Sequence, residues 1–111
     1  MLDLMTTDPL SHKLQALADP TRRAILARLR HGETTVNELA KPFAMSLPAV
    51  SKHLKVLQQA GLITRSSKAQ QRPCKLSLEG MKEVDDWLNI YRAMWEQRLD
   101  RLETYLKNLE E

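Results

Sequence analysis

The chain has 111 residues, 42% of them hydrophobic and 28% charged, with a net charge of +3 and a single cysteine. That size suits one domain with a modest core, and the composition excludes a disordered chain and an intramolecular disulfide. No apolar run reaches the roughly 20 residues of a membrane span. Asp3 and Asp8 stand where a secretory signal would be basic, so the chain reads as cytoplasmic.

Taken in chain order, Asp8-Pro9 marks an N-cap followed by a first helical residue, because proline lacks the N–H that would be unpaired there. Helix one runs to about Ala18, with Leu10, Leu14 and Leu17 on one face. Asp19-Pro20 repeats the signal for helix two, where Ile25, Leu26 and Leu29 are apolar. Arg28, Arg30 and His31 lie near its C-terminus, where cations suit the helix dipole, and Gly32 closes it. Thr35 and Glu38 match a capping box, predicting a short helix over 36–41 that Pro42 stops. Ser46 caps helix four. There Val50, Leu54 and Leu57 form an apolar stripe, and Gly61 ends the helix.

Residues 62–67 and 72–78 read as two short strands around a polar tip, with Pro73 suited to an edge. From about Glu79 to Asn108 the sequence predicts one long helix. Val84, Leu88, Tyr91, Trp95, Leu99, Leu102, Leu106 and Leu109 advance along it by three or four residues at a time. So small a domain leaves part of this stripe without a partner. The aromatic residues Trp87, Tyr91, Trp95 and Tyr105 either cover the chain's own core or, the reading favoured here, meet a second copy. The candidate dimer interface is Leu88, Tyr91, Trp95, Leu99, Leu102 and Leu106. The fold class is thus mainly α with a small β-hairpin: a winged helix-turn-helix in one domain, 1–111, with residues 79–108 as its C-terminal dimerisation helix.

Charge is unevenly distributed. Residues 46–75 hold six lysines and arginines and no acidic residue, whereas residues 76–111 hold five basic and nine acidic residues. A basic stretch of this kind is either an ordinary solvated face or a surface for a polyanion. Helix four favours double-stranded DNA. With its stripe in the core, Pro48, Ala49, Ser51, Lys52 and Lys55 lie on the other side or its flank, and Ser46 stands at the N-terminal end. Short side chains let a helix enter the major groove, hydroxyls reach phosphates or base edges, and ammonium groups neutralise phosphates. His53 lies between the faces and either touches DNA or packs on a neighbouring helix. Arg65, Lys68, Gln71 and Arg72 give the hairpin long polar side chains suited to backbone or minor-groove contact.

Two segments carry a family resemblance: Ala16-Leu-Ala-Asp-Pro-Thr-Arg-Arg-Ala-Ile-Leu26, and Met45-Ser-Leu-Pro-Ala-Val-Ser-Lys-His-Leu-Lys-Val-Leu57 followed by Ala60-Gly-Leu62. Together they resemble ArsR/SmtB-type winged-helix regulators over roughly residues 10–105. The resemblance implies a homodimeric repressor that binds an imperfectly palindromic operator near its own gene and leaves it on a signal. It places DNA contacts on Ser46, Ala49, Ser51, Lys52, His53, Lys55 and Arg72. The wing tip, Lys68-Ala-Gln-Gln-Arg-Pro73, departs from the family's Gly-Arg-like tip.

Many members of the family sense metals through paired cysteines or His/carboxylate clusters. Here Cys74 stands alone, and Asp85 and Asp86 have no neighbouring histidine, so neither metal nor cofactor is expected. The Trp-rich segment resembles the branch without metal ligands. Cys74 reads as a small buried strand residue in preference to a redox switch activated by Arg72 and Lys75. No phosphate loop, catalytic triad or Cys/His pair suggests an enzyme. The competing class is a helical interaction module that uses the basic segment to hold an acidic partner. It explains the long helix but not the clustering of cations. The effector, the operator sequence and the regulated genes are not encoded legibly.

Overall fold

The computed structural model of the protein describes residues 8–66 and 72–110. Lys68 and Gln71, expected in the wing, lie outside them. The elements are α1 (Pro9–Leu17), α2 (Pro20–Leu29), α3 (Val36–Ala40), α4 (Leu47–Gln59), β1 (Ile63–Arg65), β2 (Cys74–Leu76) and α5 (Leu78–Glu110). The chain is a mainly helical winged helix-turn-helix.

The helix starts follow from local chemistry. Asp8 Oδ1 accepts from the Leu10 N–H at 3.2 Å, Asp19 Oδ2 from Arg22 at 3.0 Å, Thr35 Oγ1 from Glu38 at 3.3 Å and Ser46 Oγ from Ala49 at 3.3 Å. Each satisfies an N–H that the first helical turn leaves unpaired. Only half of the expected capping box forms, because the Glu38 carboxylate accepts from Lys41 Nζ at 2.8 Å. A further cap had no part in the reading of the sequence: Ser77 Oγ accepts from the Gly80 N–H at 3.2 Å and opens α5.

The end of α1 is closed by the next helix. Arg22 Nε and Nη2 donate to the carbonyls of Ala16 (2.7 Å) and Gln15 (3.0 Å), and Arg23 Nη1 donates to that of Leu17 (2.8 Å). The Asp-Pro-Thr-Arg-Arg run therefore starts α2 with its aspartate and finishes α1 with its arginines, fixing the corner between them.

The strands pair antiparallel, with Ile63 opposite Leu76 and Arg65 opposite Cys74. They are shorter than the sequence suggested. Ladder-like bonds nonetheless run past both ends, from the Ser66 N–H to the Pro73 carbonyl and from the Ser77 N–H to the Leu62 carbonyl. Thr34 adds a bridge on the other edge of β2, exchanging both backbone bonds with Cys74 at 3.0 and 2.8 Å. A single-residue bridge has no periodicity by which a sequence could announce it.

The core lies between α1–α4 and the hairpin, where Ala16, Ile25, Leu39, Val50, Leu54, Leu57, Leu62 and Cys74 are fully buried. Cys74 faces inward and Lys75 outward, as strand alternation requires. Burial raises the Cys74 thiol above its ordinary value and outweighs the opposing effect of the Arg65 and Arg72 charges. The expectation of a buried strand residue holds, and the idea of a thiol acidified by flanking cations does not.

Helix α5 leaves this core quickly. Its buried residues are Gly80 and Val84, and residues 85–110 are all exposed. At 1.5 Å per residue its 33 residues extend about 50 Å. Its base is held in two ways that the sequence did not reveal. Gly80 lies directly on the backbone of Gly61, and a Cβ at Gly80 would stand 1.8 Å from the Gly61 carbonyl oxygen. Lys13, with a side chain only 7% exposed, pairs with Glu83 at 2.9 Å and ties α1 to α5.

Candidate nucleic-acid interface

Helix α3, its turn and α4 form the helix-turn-helix. Leu39 of α3 and Val50, Leu54 and Leu57 of α4 are fully buried, so the inner side of α4 is committed to the core. The remaining side of α4 is directed outward by the helical period alone. Lys52 and Lys55 are exposed there, and neither ammonium has an ion-pair partner among the described residues. Ala49 and Ser51 are half-buried beside them. Ser46 is exposed at the tip, where its oxygen caps the helix and its hydroxyl proton can still be donated.

His53 is differently placed. Its side chain is 19% exposed, with Nδ1 3.9 Å from Asp19 Oδ2 and 3.4 Å from Arg22 Nη1. It sits against the corner that joins α1 to α2 and links α4 to it. The Arg22 N–H, with help from the nearby His53 and Arg22 charges, holds the Asp19 carboxyl below its ordinary value.

The C-terminal end of α4 leads into the hairpin through a Schellman motif. The Gly61 N–H donates to the Gln58 carbonyl and the Leu62 N–H to that of Leu57, both at 3.0 Å. Gly61 takes φ +80, which side chains resist. In the hairpin Arg65 is half-buried, and its Nε is buried without a partner among the described residues. Arg72 is exposed and left-handed, with φ 45. The structure thus brings Ser46, Ala49, Ser51, Lys52 and Lys55 to one outward surface, sets Arg65 and Arg72 on the hairpin, and draws His53 towards α2.

Exposure also identifies residues that periodicity overlooked. Leu47 is 47% exposed and Met45 38% exposed at the leading end of α4. Large apolar side chains at this point can meet thymine methyl groups. Only their burial, which depends on the folded chain, distinguishes them from core residues.

Comparison with known proteins now bears on this geometry. A family described as a helix-turn-helix domain matches residues 17–66. The transcriptional repressor SdpR of Bacillus subtilis is 33% identical over 79 residues, which are 71% of this chain and 88% of SdpR. A crystal structure of an ArsR family transcriptional regulator is 44% identical, superposes with a TM-score of 0.73, and covers 80% of this chain and 98% of that one. The chain belongs to the ArsR family of transcriptional regulators.

Another relative, the HTH-type transcriptional regulator Rv2034 of Mycobacterium tuberculosis, is 49% identical over 67 residues. These are 60% of this chain and 63% of Rv2034, so the match spans just under two thirds of that protein. As an ArsR-family chain, this protein presents the expected fold over the matched region. Among its described residues no three His, Cys, Asp or Glu side chains gather where they could hold a metal ion. No described helix is long and apolar enough to cross a membrane.

Proposed function

We propose that this regulator is a cytoplasmic homodimeric repressor that reads an imperfectly palindromic operator with two copies of α4. The reading involves no catalytic step and no cofactor. What carries it is the division of α4: one side is fully buried in the core, and the other bears two ammonium groups without an ion-pair partner among the described residues, in a stretch free of acidic residues.

The roles divide by chemistry. Lys52 and Lys55 neutralise phosphates, and the Ser46 hydroxyl meets phosphate oxygens. Ala49 and Ser51 face base edges, as Leu47 does with an apolar contact. His53 holds α4 against Asp19 and Arg22, at the border of the DNA-facing side. Arg65, Lys68, Gln71 and Arg72 are assigned to the wing's backbone contacts.

The second copy follows from α5. Leu88, Tyr91, Trp95, Leu99, Leu102 and Leu106 are between 41% and 62% exposed and lie on one side of the helix. Helices are seldom stable in water without burying such a stripe. Pairing through α5 sets the two recognition helices about one turn of DNA apart, roughly 34 Å, which fixes the half-site spacing, and the two-fold symmetry of the pair makes the operator palindromic.

The test is fluorescence anisotropy with duplex DNA across a salt series. Log affinity should fall linearly with log salt. Lys52→Ala and Lys55→Ala should each reduce the slope by about 0.9 and weaken binding alike across sequences. Ser51→Ala should change the preference among sequences. A Lys52→Ala protein with unchanged slope and altered base preference would reverse the assigned roles.

A further inference from the structure

A second concave site lies away from α4. Leu17 at the end of α1, Leu26 of α2, Leu76 of β2 and Met81 of α5 converge on an open cleft of about 230 Å³. Leu26 belongs to the core and forms the floor, whereas Leu17, Leu76 and Met81 border the core and are only partly buried. Its rim is cationic. Arg23 of α2 and Arg30 at its C-cap stand seven residues apart on the same side as Leu26 and Ala27, and no carboxylate among the described residues lines the cleft.

The two arginines are not equivalent. Arg23 is tethered through Nη1 to the Leu17 carbonyl, whereas the Arg30 guanidinium has no partner among the described residues. An apolar floor beside one free guanidinium matches a molecule with a hydrocarbon body and a single planar anion. We propose that this cleft binds an apolar monocarboxylic acid, with its carboxylate on Arg30 and its hydrocarbon portion over Leu26, Leu76 and Met81. At about 30 Å³ per water-sized group, the space suits a hydrocarbon chain of roughly eight carbons, with the carboxylate oxygens beyond it at the Arg30 rim. Such a ligand touches α1, α2, β2 and α5 together, so its occupancy is linked to how the wing sits against the base of the long helix.

The test is isothermal titration of the full chain with octanoate, with octan-1-ol as the uncharged probe. Its readout is direct, so it is independent of the DNA reading. Octanoate should saturate at one per chain and bind more tightly than octan-1-ol. Arg30→Gln should weaken octanoate about tenfold or more, the usual worth of a charge-assisted pair, and leave octan-1-ol unaffected. Ala27→Trp should abolish binding by filling the cleft from its exposed edge, with the melting temperature confirming that the variant folds. Absence of saturable binding, equal binding of the two probes, or octanoate binding indifferent to both substitutions would overturn the proposal. So would a change in sedimentation on Ala27→Trp, which would assign the cleft to contact between copies of the chain.

Discussion

Replacing Gly80 by alanine sets two effects of opposite sign against each other. In an ordinary helix interior the change stabilises by about 1 kcal/mol, because glycine loses more backbone freedom on folding. Here the new Cβ would lie 1.8 Å from the Gly61 carbonyl oxygen and 2.8 Å from its carbonyl carbon, where contacts under 3.0 Å essentially never occur. Relief requires a shift of at least 1.2 Å between two backbones. One of them is held in the Schellman turn at the end of α4, and the other is pinned by the Ser77 cap and the Lys13–Glu83 pair. Overpacking of this kind costs about 1–3 kcal/mol, and a contact between two held backbones belongs at the upper end of that range. Set against the gain of about 1 kcal/mol, the clash should win by about 2 kcal/mol, a fall in melting temperature of roughly 10 °C for a domain near this size. The assay is thermal unfolding by circular dichroism at fixed protein concentration, since assembly shifts the midpoint. An exposed control on the same helix, Asn89→Ala, should change little. A Gly80→Ala protein that melts at or above the parent temperature would show that α5 does not rest on Gly61.

Three further substitutions probe the same corner and its neighbour. Glu83→Gln should cost about 1 kcal/mol or more in chemical denaturation, because it leaves Lys13 buried without its counter-charge. Lys13→Met, which removes the charge and keeps the volume, should be milder; the reverse order would refute a role for the pair in seating α5. Asp19 has its folded carboxyl pKa lowered by the Arg22 N–H, so the unfolded chain binds its proton first and stability rises with pH through this range. Its contribution is complete above the ordinary value of 3.8 and fades as pH falls through the lowered folded value. Asp19→Asn, which retains a capping oxygen, should flatten the stability–pH curve below about pH 4; an unaltered curve would contradict the assignment.

What was legible in the sequence was local. Asp8-Pro9, Asp19-Pro20, Thr35 and Ser46 announce helix starts because a cap involves residues two or three apart, and each start falls where these residues put it. The α4 stripe was equally plain, since three aliphatic residues at helical spacing decide which side is inward. The features that were missed join distant parts of the chain. Nothing in the neighbourhood of Gly80 indicates that Gly61 lies against it. Arg22 and Arg23 stood out only as part of the family motif, and their closure of α1 depends on α1 folding back within their reach. Lys13 looks like a solvated lysine until Glu83 arrives from α5. The outward set on α4 was readable as a helical side, but whether His53 belonged to it depended on Asp19 and Arg22, and the exposure of Leu47 depended on what α3 leaves uncovered.

The account rests on two α4 helices being held at a fixed separation by α5. Its most direct test is the duplex affinity and sedimentation of a Leu99→Glu/Leu102→Glu protein beside the parent. Both leucines are about half exposed in the single chain, so the domain should keep its fold and its circular dichroism. The variant should sediment as a monomer and lose tight binding to a palindromic duplex, retaining only weak, salt-sensitive association. A folded monomer that binds the palindrome as tightly as the parent would contradict it.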